Sequence, residues 1–229
     1  MKVRIKFQKT DNMKFIGHLD FMRAWQKIFR RSLIPIAYSE GFNPHQVFSI
    51  GAPLGVGIVG MNEYLDLKLK VDEYDLKLLC EQINRVCPEG VYITGARALL
   101  DKETAAMAAC YAADYRLILS ESLHSGFNYE AFQEFIEQEN ILIKKKNKKG
   151  KINDLDLKPG IFSFKILKGE RMIRLLLATG SSLNIKPEQI MNAFCENEDF
   201  IYDSSNYYTT YREEIYQSLE PKVTLMELI

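Results

Sequence analysis

The sequence has few cysteines, no excess of charge of either sign and no long apolar run. Its four cysteines form no CxxC pair and fit neither a zinc ribbon nor an iron–sulfur motif, so we interpret them as reduced thiols. Thirty basic residues balance 30 acidic ones, which argues against a protein that coats nucleic acid through bulk charge. No stretch approaches the roughly 20 apolar residues of a membrane span, and the start of the chain contains no hydrophobic signal core. We therefore predict a cytoplasmic protein with no membrane contact, no metal and no cofactor.

Alternation and helical periodicity predict a mixed α+β fold. Hydrophobic residues make up 47% of the 229 positions, enough to bury a core in one large domain or two small ones. Over residues 1–100 the predicted elements follow the order β-α-β-β-α-β, which fits a ferredoxin-like unit. Residues 114–229 repeat this order loosely, without a convincing sequence repeat. We therefore predict tandem ferredoxin-like (βαββαβ) domains with antiparallel sheets, 1–100 and 114–229, joined by the alanine-rich segment 101–113.

The first predicted helix starts near Gly17–His18 and carries a cationic face. Its apolar face is predicted, from helical spacing, to contain Leu19, Met22, Trp25 or Gln26, Phe29 and Leu33. The cations along the helix are Arg23, Lys27, Arg30 and Arg31. Asp20 is the only carboxylate between residues 12 and 39, so the usual i,i+4 compensation is missing. Such a stripe can contact successive phosphates, and the alternative is an ordinary solvated face.

Two histidines near this helix are candidates for acid–base chemistry. His18 lies at the helix start in GHLD, and His45 lies in GFNPH. If the chain after the helix folds back beside it, the pair is suited to metal-free phosphodiester cleavage, with one base and one acid. The alternative is that each imidazole hydrogen-bonds to the backbone and holds a loop in shape. Asp20 then either orients His18 or caps the helix.

A dense group of turn residues follows the helix. Seven glycine, asparagine and proline residues fall in the 17 positions from 41 to 57, which predicts a shaped surface loop. We expect this loop to dock a substrate or partner through Tyr38, Ser39, Gly41, Phe42, Asn43, Pro44 and His45. The PLGVG segment at 53–57 has no GKS or GKT ending, so it is no Walker site, and we interpret it as a glycine hinge.

A lysine-rich segment lies between two predicted strands of the second half. Residues 144–151 contain six lysines in eight positions, so that flexible side chains are predicted to attract polyanions without reading sequence. The candidate phosphate contacts there are Lys144, Lys145 and Lys146. The alternative is a solubilising hairpin. Tyrosines 207, 208 and 211 are predicted to pack on an edge strand. The alternative is that their rings are exposed and stack on nucleic-acid bases.

Residues 14–57 resemble the signature of an uncharacterised bacterial family, the radical SAM-linked proteins. The likeness is carried by a His-Leu-Asp helix start, an arginine-rich helix, AYS-x-GFNPH and PL-x-x-G, and it extends to Glu63 and Asp66. The helix departs from the family pattern at Ser32, where the family usually has alanine. Beyond residue 100 the resemblance is thin. Members occur beside, or fused to, a radical SAM enzyme and are often encoded near ribonuclease E/G and ribosomal proteins.

The resemblance implies a partner and no established catalytic residue. This chain lacks CxxxCxxC, so it is not the radical SAM enzyme itself. We expect an accessory protein that binds RNA or a ribosomal component and presents it to a separate radical SAM enzyme. The alternatives are a metal-free endoribonuclease that uses His18 and His45, at fold level similar to CRISPR repeat-processing enzymes, and a protein scaffold without nucleic acid. Whether the chain is an enzyme stays open, with a non-enzyme favoured.

Overall fold

The chain combines strands and helices along its whole described length. The structure, a computed structural model, describes residues 1–146 (for Lys146 the backbone only), 150, 152–198 and 207–227. The strands are β1 (Lys2–Lys9), β2 (Phe48–Ile50), β3 (Val59–Lys68), β4 (Val91–Ala98), β5 (Ala112–Leu119), β6 (Leu142–Lys146), β7 (Ile152–Asp156), β8 (Ile161–Leu167), β9 (Met172–Ala178), β10 (Tyr208–Leu219) and β11 (Lys222–Thr224). The helices are α1 (His18–Arg31), α2 (Leu76–Asn84), α3 (Ala106–Ala109), α4 (Glu121–Gly126), α5 (Tyr129–Glu137) and α6 (Pro187–Asn197). Of these helices, none has both the length and the apolar character that crossing a bilayer requires.

The chain divides into two compact units. The first unit is formed by Met1–Ala112 together with Tyr211–Ile229, and the second by Ala113–Thr210. The sequence predicted domains at 1–100 and 114–229. In the structure residues 101–112 of the alanine-rich segment and most of β10 belong to the first unit.

The sheet of the first unit is built around β1 and β3. β1 pairs antiparallel with β4 on one side and with β3 on the other. β3 pairs antiparallel with β2 along one part of its length and in parallel with β10 at Val59 and Gly60. β11 extends β10 as an antiparallel partner. The predicted α+β class and largely antiparallel pairing are thus confirmed, while the tandem ferredoxin-like arrangement stays a prediction.

The apolar core of the first unit lies between its sheet and the helices α1 and α2. On β1 the alternating residues Val3, Ile5 and Phe7 are all buried and point to the same face of the sheet. The ring of Trp25 on α1 lies edge-on to Phe7 at 5.0 Å between centroids. Leu79 and Ile83 of α2 complete the same cluster and are fully buried. Each such side chain contributes about 1.5–3 kcal/mol of burial free energy.

The apolar face of α1 differs from the predicted one. The buried residues are Phe21, Trp25, Ile28 and Phe29. Leu19 and Leu33, predicted to face the core, are 73% and 84% exposed. Leu19 projects from the first turn toward solvent, and the helix ends before Leu33, whose φ of 57° turns the chain away. Helical spacing predicted the helix correctly, but the two leucines that it assigned to the ends of the apolar face lie outside the core.

The second unit combines three neighbouring strands with an aromatic core. β8 and β9 form an antiparallel hairpin, and β5 lies beside β9. Rings of Phe127, Phe132 and Phe194 contact one another at centroid distances of 5.1–5.5 Å. The hairpin of β6 and β7 forms a separate two-stranded sheet. The predicted strand at 140–144 overlaps β6, whereas β7 and the short helix α4 add elements to those predicted for this half.

Candidate functional site

The cationic side chains of α1 all face solvent. Arg23, Lys27, Arg30 and Arg31 are exposed and fall within an arc of about 100° around the helix axis. This arc lies opposite the buried aromatic face, since the burial of Trp25 fixes which side of the helix meets the sheet. The structure therefore places the four predicted phosphate contacts on one outward face.

Among the described residues, only one of these four cations has an acidic partner. Arg23 donates from Nη1 to Oδ1 of Asp20 at 2.8 Å, an exposed i,i+3 pair. Asp20 thus contacts Arg23, and no hydrogen bond from its side chain caps the helix. Lys27, Arg30 and Arg31 make no ion pair or side-chain hydrogen bond with any residue that the structure describes. Three unpaired cations on one helix face form a local positive patch on a neutral protein.

His18 lies on the other side of the helix from these cations. It is the first residue of α1, and its position is about 170° around the axis from the middle of the cationic arc. His18 is exposed, and part of it lines a small cavity of about 10 Å³ together with Lys9, Phe21 and Glu63. A space of this size holds one water molecule at most. The cavity contains none of the four cations, so His18 and the cationic face belong to different surfaces.

The GFNPH loop is closed by hydrogen bonds between Ser39 and His45. Ser39 Oγ lies 2.8 Å from His45 Nδ1, the His45 N–H donates to Ser39 Oγ at 3.1 Å, and the Ser39 N–H donates to the His45 carbonyl at 2.8 Å. Gly41 has a φ of 107°, a conformation that favours glycine. Between the two ends, Phe42 projects fully into solvent. His45 therefore closes a loop that displays an aromatic ring.

Tyr38, Asn43 and Pro44 complete the predicted docking surface. All three are exposed, and Tyr38 forms an isolated antiparallel bridge with Gln46 at the base of the loop. The ring of Tyr38 lies under the ammonium of Lys70, 5.3 Å from its centroid. The loop is thus anchored at one end and open to contact at its tip. No described contact or cavity joins His45 to His18, so cleavage by this pair stays a prediction without a shared site.

The predicted lysine segment is described only in part. Lys144 and Lys145 lie on β6, are exposed and pair in register with Asp154 and Asn153 of β7. The side chain of Lys146 and residues 147–149 and 151 lie outside the described residues. The two described lysines stand on a hairpin arm of the second unit.

A buried ion pair between Glu63 and Arg212 lies beside the His18 cavity, and the sequence analysis did not predict this pair. Arg212 donates from Nε and Nη2 to the two carboxylate oxygens of Glu63 at 2.8 and 2.5 Å, and from Nη2 to the Ala52 carbonyl at 2.6 Å. Both side chains are at most 3% exposed. This bidentate geometry is the strong form of an arginine–carboxylate contact. The available signal in the sequence was the position of Glu63 directly before the apolar residues Tyr64 and Leu65 of β3.

Lys9 adds a third buried charge to this pair. Its ammonium donates to the Ile16 carbonyl at 2.7 Å and lies 4.8 Å from the centroid of the Phe21 ring. Burial lowers the pKa of Lys9, Glu63 acts in the opposite direction, and Arg212 lowers it further. Glu63 is therefore the counter-charge for two cations.

Arg4 forms the second buried network of this unit. It is fully buried and donates from Nε and Nη2 to the two oxygens of Asp66 at 2.7 and 3.0 Å. Its remaining donors reach the carbonyls of Thr104 at 2.8 Å and Leu225 at 3.0 Å. Asp66 also accepts from the Ala106 N–H at 2.7 Å. Arg4 and Asp66 thus tie the segment before α3 to the sheet.

Within the described residues there is no group of three or more histidine, cysteine, aspartate or glutamate side chains placed to hold a metal ion. The four cysteines are free thiols. Burial raises the pKa of Cys87 to about 12 and that of Cys110 to about 11. These two thiols are therefore protonated at neutral pH and poor nucleophiles.

A family model described as "Uncharacterized protein conserved in bacteria (DUF2344)" matches residues 2–187. The chain belongs to this family. The match runs from β1 to the first residue of α6, so it includes the cationic helix, the GFNPH loop and the acidic residues of both buried ion pairs. The prediction of a bacterial family of unknown function is thereby confirmed. None of the curated proteins matches the chain.

For this DUF2344 chain the motif residues separate into two groups by burial. Glu63 and Asp66 hold buried arginines, so their place in the motif has a structural reason. Gly60, which lies outside the motif, leaves room for Glu63, because a Cβ there would lie 2.6 Å from a side-chain carbon of Glu63. The arginines of α1 and Phe42 are exposed and lie outside the core. These exposed residues are the candidates for recognition.

Proposed function

We propose that this DUF2344 protein binds RNA through the cationic face of α1 and presents the RNA, or a ribosomal component, to a separate radical SAM enzyme in the cytoplasm. The observation that carries the RNA contact is the outward, unpaired state of Lys27, Arg30 and Arg31 among the described residues. When such unpaired cations bind phosphates, counterions are released from the RNA and no ion pair within the protein has to be broken. Arg23 joins them by exchanging Asp20 for a phosphate.

The geometry of the face suits a short stretch of phosphates. From Arg23 to Arg31 the helix rises about 12 Å, at 1.5 Å per residue. Three or four contacts to single-stranded RNA correspond to a slope of about −2 to −3 when log K is plotted against log salt. The protein is neutral overall, so this local patch supplies the long-range attraction.

The GFNPH loop and the lysines of β6 have supporting roles in this proposal. Phe42 presents a free aromatic ring, which suits stacking on a base or insertion into the enzyme partner. Lys144 and Lys145 add sequence-independent attraction. The enzyme partner itself is inferred from the resemblance to radical SAM-linked proteins, whose partner enzyme has the cysteine motif that this chain lacks.

We also propose that both halves have the ferredoxin-like arrangement. In the first unit the strand order β4-β1-β3-β2, with α1 and α2 on one face, supports it. In the second unit the neighbours β5, β9 and β8 support it, with the β6–β7 hairpin as an insertion.

A matched pair of charge-reversal variants tests the RNA contact. Lys27→Glu with Arg30→Glu removes two of the unpaired cations. The control is Lys77→Glu with Arg85→Glu, which makes the same change in net charge. These two exposed residues lie on α2 and directly after it. With labelled ribosomal RNA in a filter-binding assay, we expect the first variant to bind at least about tenfold more weakly, and its salt slope to be smaller by about 1.4.

Three results would count against this function. Unchanged binding by the α1 variant would remove the cationic face from the interaction. An equal loss in both variants would mean that only overall charge matters. If neither variant nor wild type binds RNA at low salt while the radical SAM enzyme is still captured after nuclease treatment, the protein is a scaffold for that enzyme alone.

A further inference from the structure

A second concave surface of the first unit is not used by the proposed function. It is a cavity of about 250 Å³, lined in part by Lys2, Ser49, Asp66, Lys68 and Glu103. At about 30 Å³ per water molecule, it has room for about eight waters or one small organic molecule. The cations of α1 are not among its lining residues.

The cavity lies on the sheet face that points away from α1 and α2. Val3, Ile5 and Phe7 point into the helix-covered core, so Lys2, which alternates with them, points to the other face. Lys68 is its direct cross-strand neighbour on β3. The segment that follows β4 forms a wall of the cavity, and the Leu99 N–H donates to the Lys2 carbonyl at 2.9 Å.

Lys2 and Lys68 are like charges placed directly opposite each other. Such a cross-strand pair is destabilising unless something negative lies between or beside the two ammonium groups. Neither lysine makes an ion pair or a side-chain hydrogen bond with a residue in the described part of the chain. The pair is therefore a candidate site for an external anion.

The carboxylates of the cavity are already neutralised by other residues. Asp66 is held by the bidentate contact with Arg4. Glu103 accepts from Nη1 of Arg97 at 2.8 Å and also from Nη2, and these contacts, led by that hydrogen bond, lower its pKa. The two lysines consequently leave two uncompensated positive charges at this site.

The remaining lining gives the site an apolar part and a hydroxyl donor. Val47 and Leu99 line the cavity and are half-buried. Ser49 is paired in register with Asp66, so its hydroxyl lies on the same face, and it makes no hydrogen bond to a described residue. A hydroxyl donor, two cations and an aliphatic wall together suit a ligand that has both an anionic group and an apolar group.

We propose that this cavity binds a small organic phosphate monoester. The phosphate lies between Lys2 and Lys68 and accepts from the Ser49 hydroxyl, and the organic group packs against Val47 and Leu99. A monoester phosphate carries about −1.5 to −2 charges at pH 7, which matches the two lysines. The cavity of about 250 Å³ has room for an organic group of about the size of one ring. The site is independent of the RNA contact on α1.

The test is a titration of the ¹⁵N-labelled full-length protein with phenyl phosphate, followed by amide chemical shifts. We expect binding at about 1 mM or tighter, with shifts concentrated at Lys2, Ser49, Lys68 and Leu99. Inorganic phosphate should bind at least about tenfold more weakly, since it leaves the apolar wall uncovered. Lys68→Gln should weaken phenyl phosphate binding at least about fivefold, and the exposed control Lys77→Gln should not change it.

Two further variants distinguish binding inside the cavity from attraction of anions to the protein surface. Ala105→Leu fills the cavity and keeps both lysines, so it should abolish phenyl phosphate binding without a change of charge. The α1 reversal Lys27→Glu with Arg30→Glu should leave phenyl phosphate binding intact even where RNA binding is lost. Equal affinity for inorganic and phenyl phosphate, shifts outside the cavity, or full binding by Lys68→Gln would each overturn the proposal.

Discussion

Replacing Glu63 by glutamine removes the one negative charge from a buried group of three. The carboxylate receives two hydrogen bonds from Arg212 and also faces the ammonium of Lys9. Glutamine has nearly the same shape, so the substitution changes charge with little change in packing. After it, two cations share a buried region without a counter-charge.

The expected loss of stability follows from burial. Glu63 and Arg212 are 2% and 3% exposed, so solvent screens them little. Breaking a buried ion pair by removing one partner costs about 3–5 kcal/mol, because the other charge is left uncompensated. That is a large share of the roughly 5–15 kcal/mol by which a domain is stable. Arg212→Met should cost less, at the low end of about 3 kcal/mol, because Lys9 remains to neutralise Glu63.

Urea unfolding followed by the fluorescence of Trp25 measures this loss. Trp25 is the only tryptophan and is fully buried in the core of the first unit, so its signal reports on the unit that contains the ion pair. The control is Glu81→Gln, whose exposed contact with Arg85 is 4.0 Å long, and it should change stability by less than about 0.5 kcal/mol. A loss below about 1 kcal/mol for Glu63→Gln, or a larger loss for Arg212→Met, would refute the argument.

Two further predictions concern titration. At pH 8 about one Cys87 thiol in 10,000 is ionised if its pKa is about 12, so we expect Cys87 and Cys110 to react with iodoacetamide slowly in the native protein and rapidly in urea; rapid native labelling would contradict this. Because the hydrogen bond from Arg97 lowers the pKa of Glu103, its stabilisation is present above about pH 4.5 and is lost as the pH falls through the lowered value. The stability of Glu103→Gln between pH 7 and 3 should therefore fall less steeply than that of the wild type, and parallel curves would argue against it.

Periodicity predicted most elements of the fold because it reports local burial. Alternation placed β1 within one residue of its observed bounds, and helical spacing with the following proline placed α1. The strand β7 and the helix α4 carry no such pattern, since they are only five and six residues long. Their positions depend on contacts with other elements.

The candidate site was predicted in part. The exposure of Arg23, Lys27, Arg30 and Arg31 follows from the helical wheel of α1, once Trp25 is buried. The surroundings of His18 could not be predicted from the helical wheel, because Lys9 and Glu63, which line the same cavity, lie on the strands β1 and β3. A local pattern contains no information on which strands meet.

What the sequence determined by itself was the set of elements and the charge on each surface, because turns, helical spacing and alternation act over a few residues. What only the tertiary structure decided was which charges meet. Arg4 reaches Asp66 across 62 positions and Arg212 reaches Glu63 across 149. Such pairs depend on strand order and register, and the same is true of the facing Lys2 and Lys68.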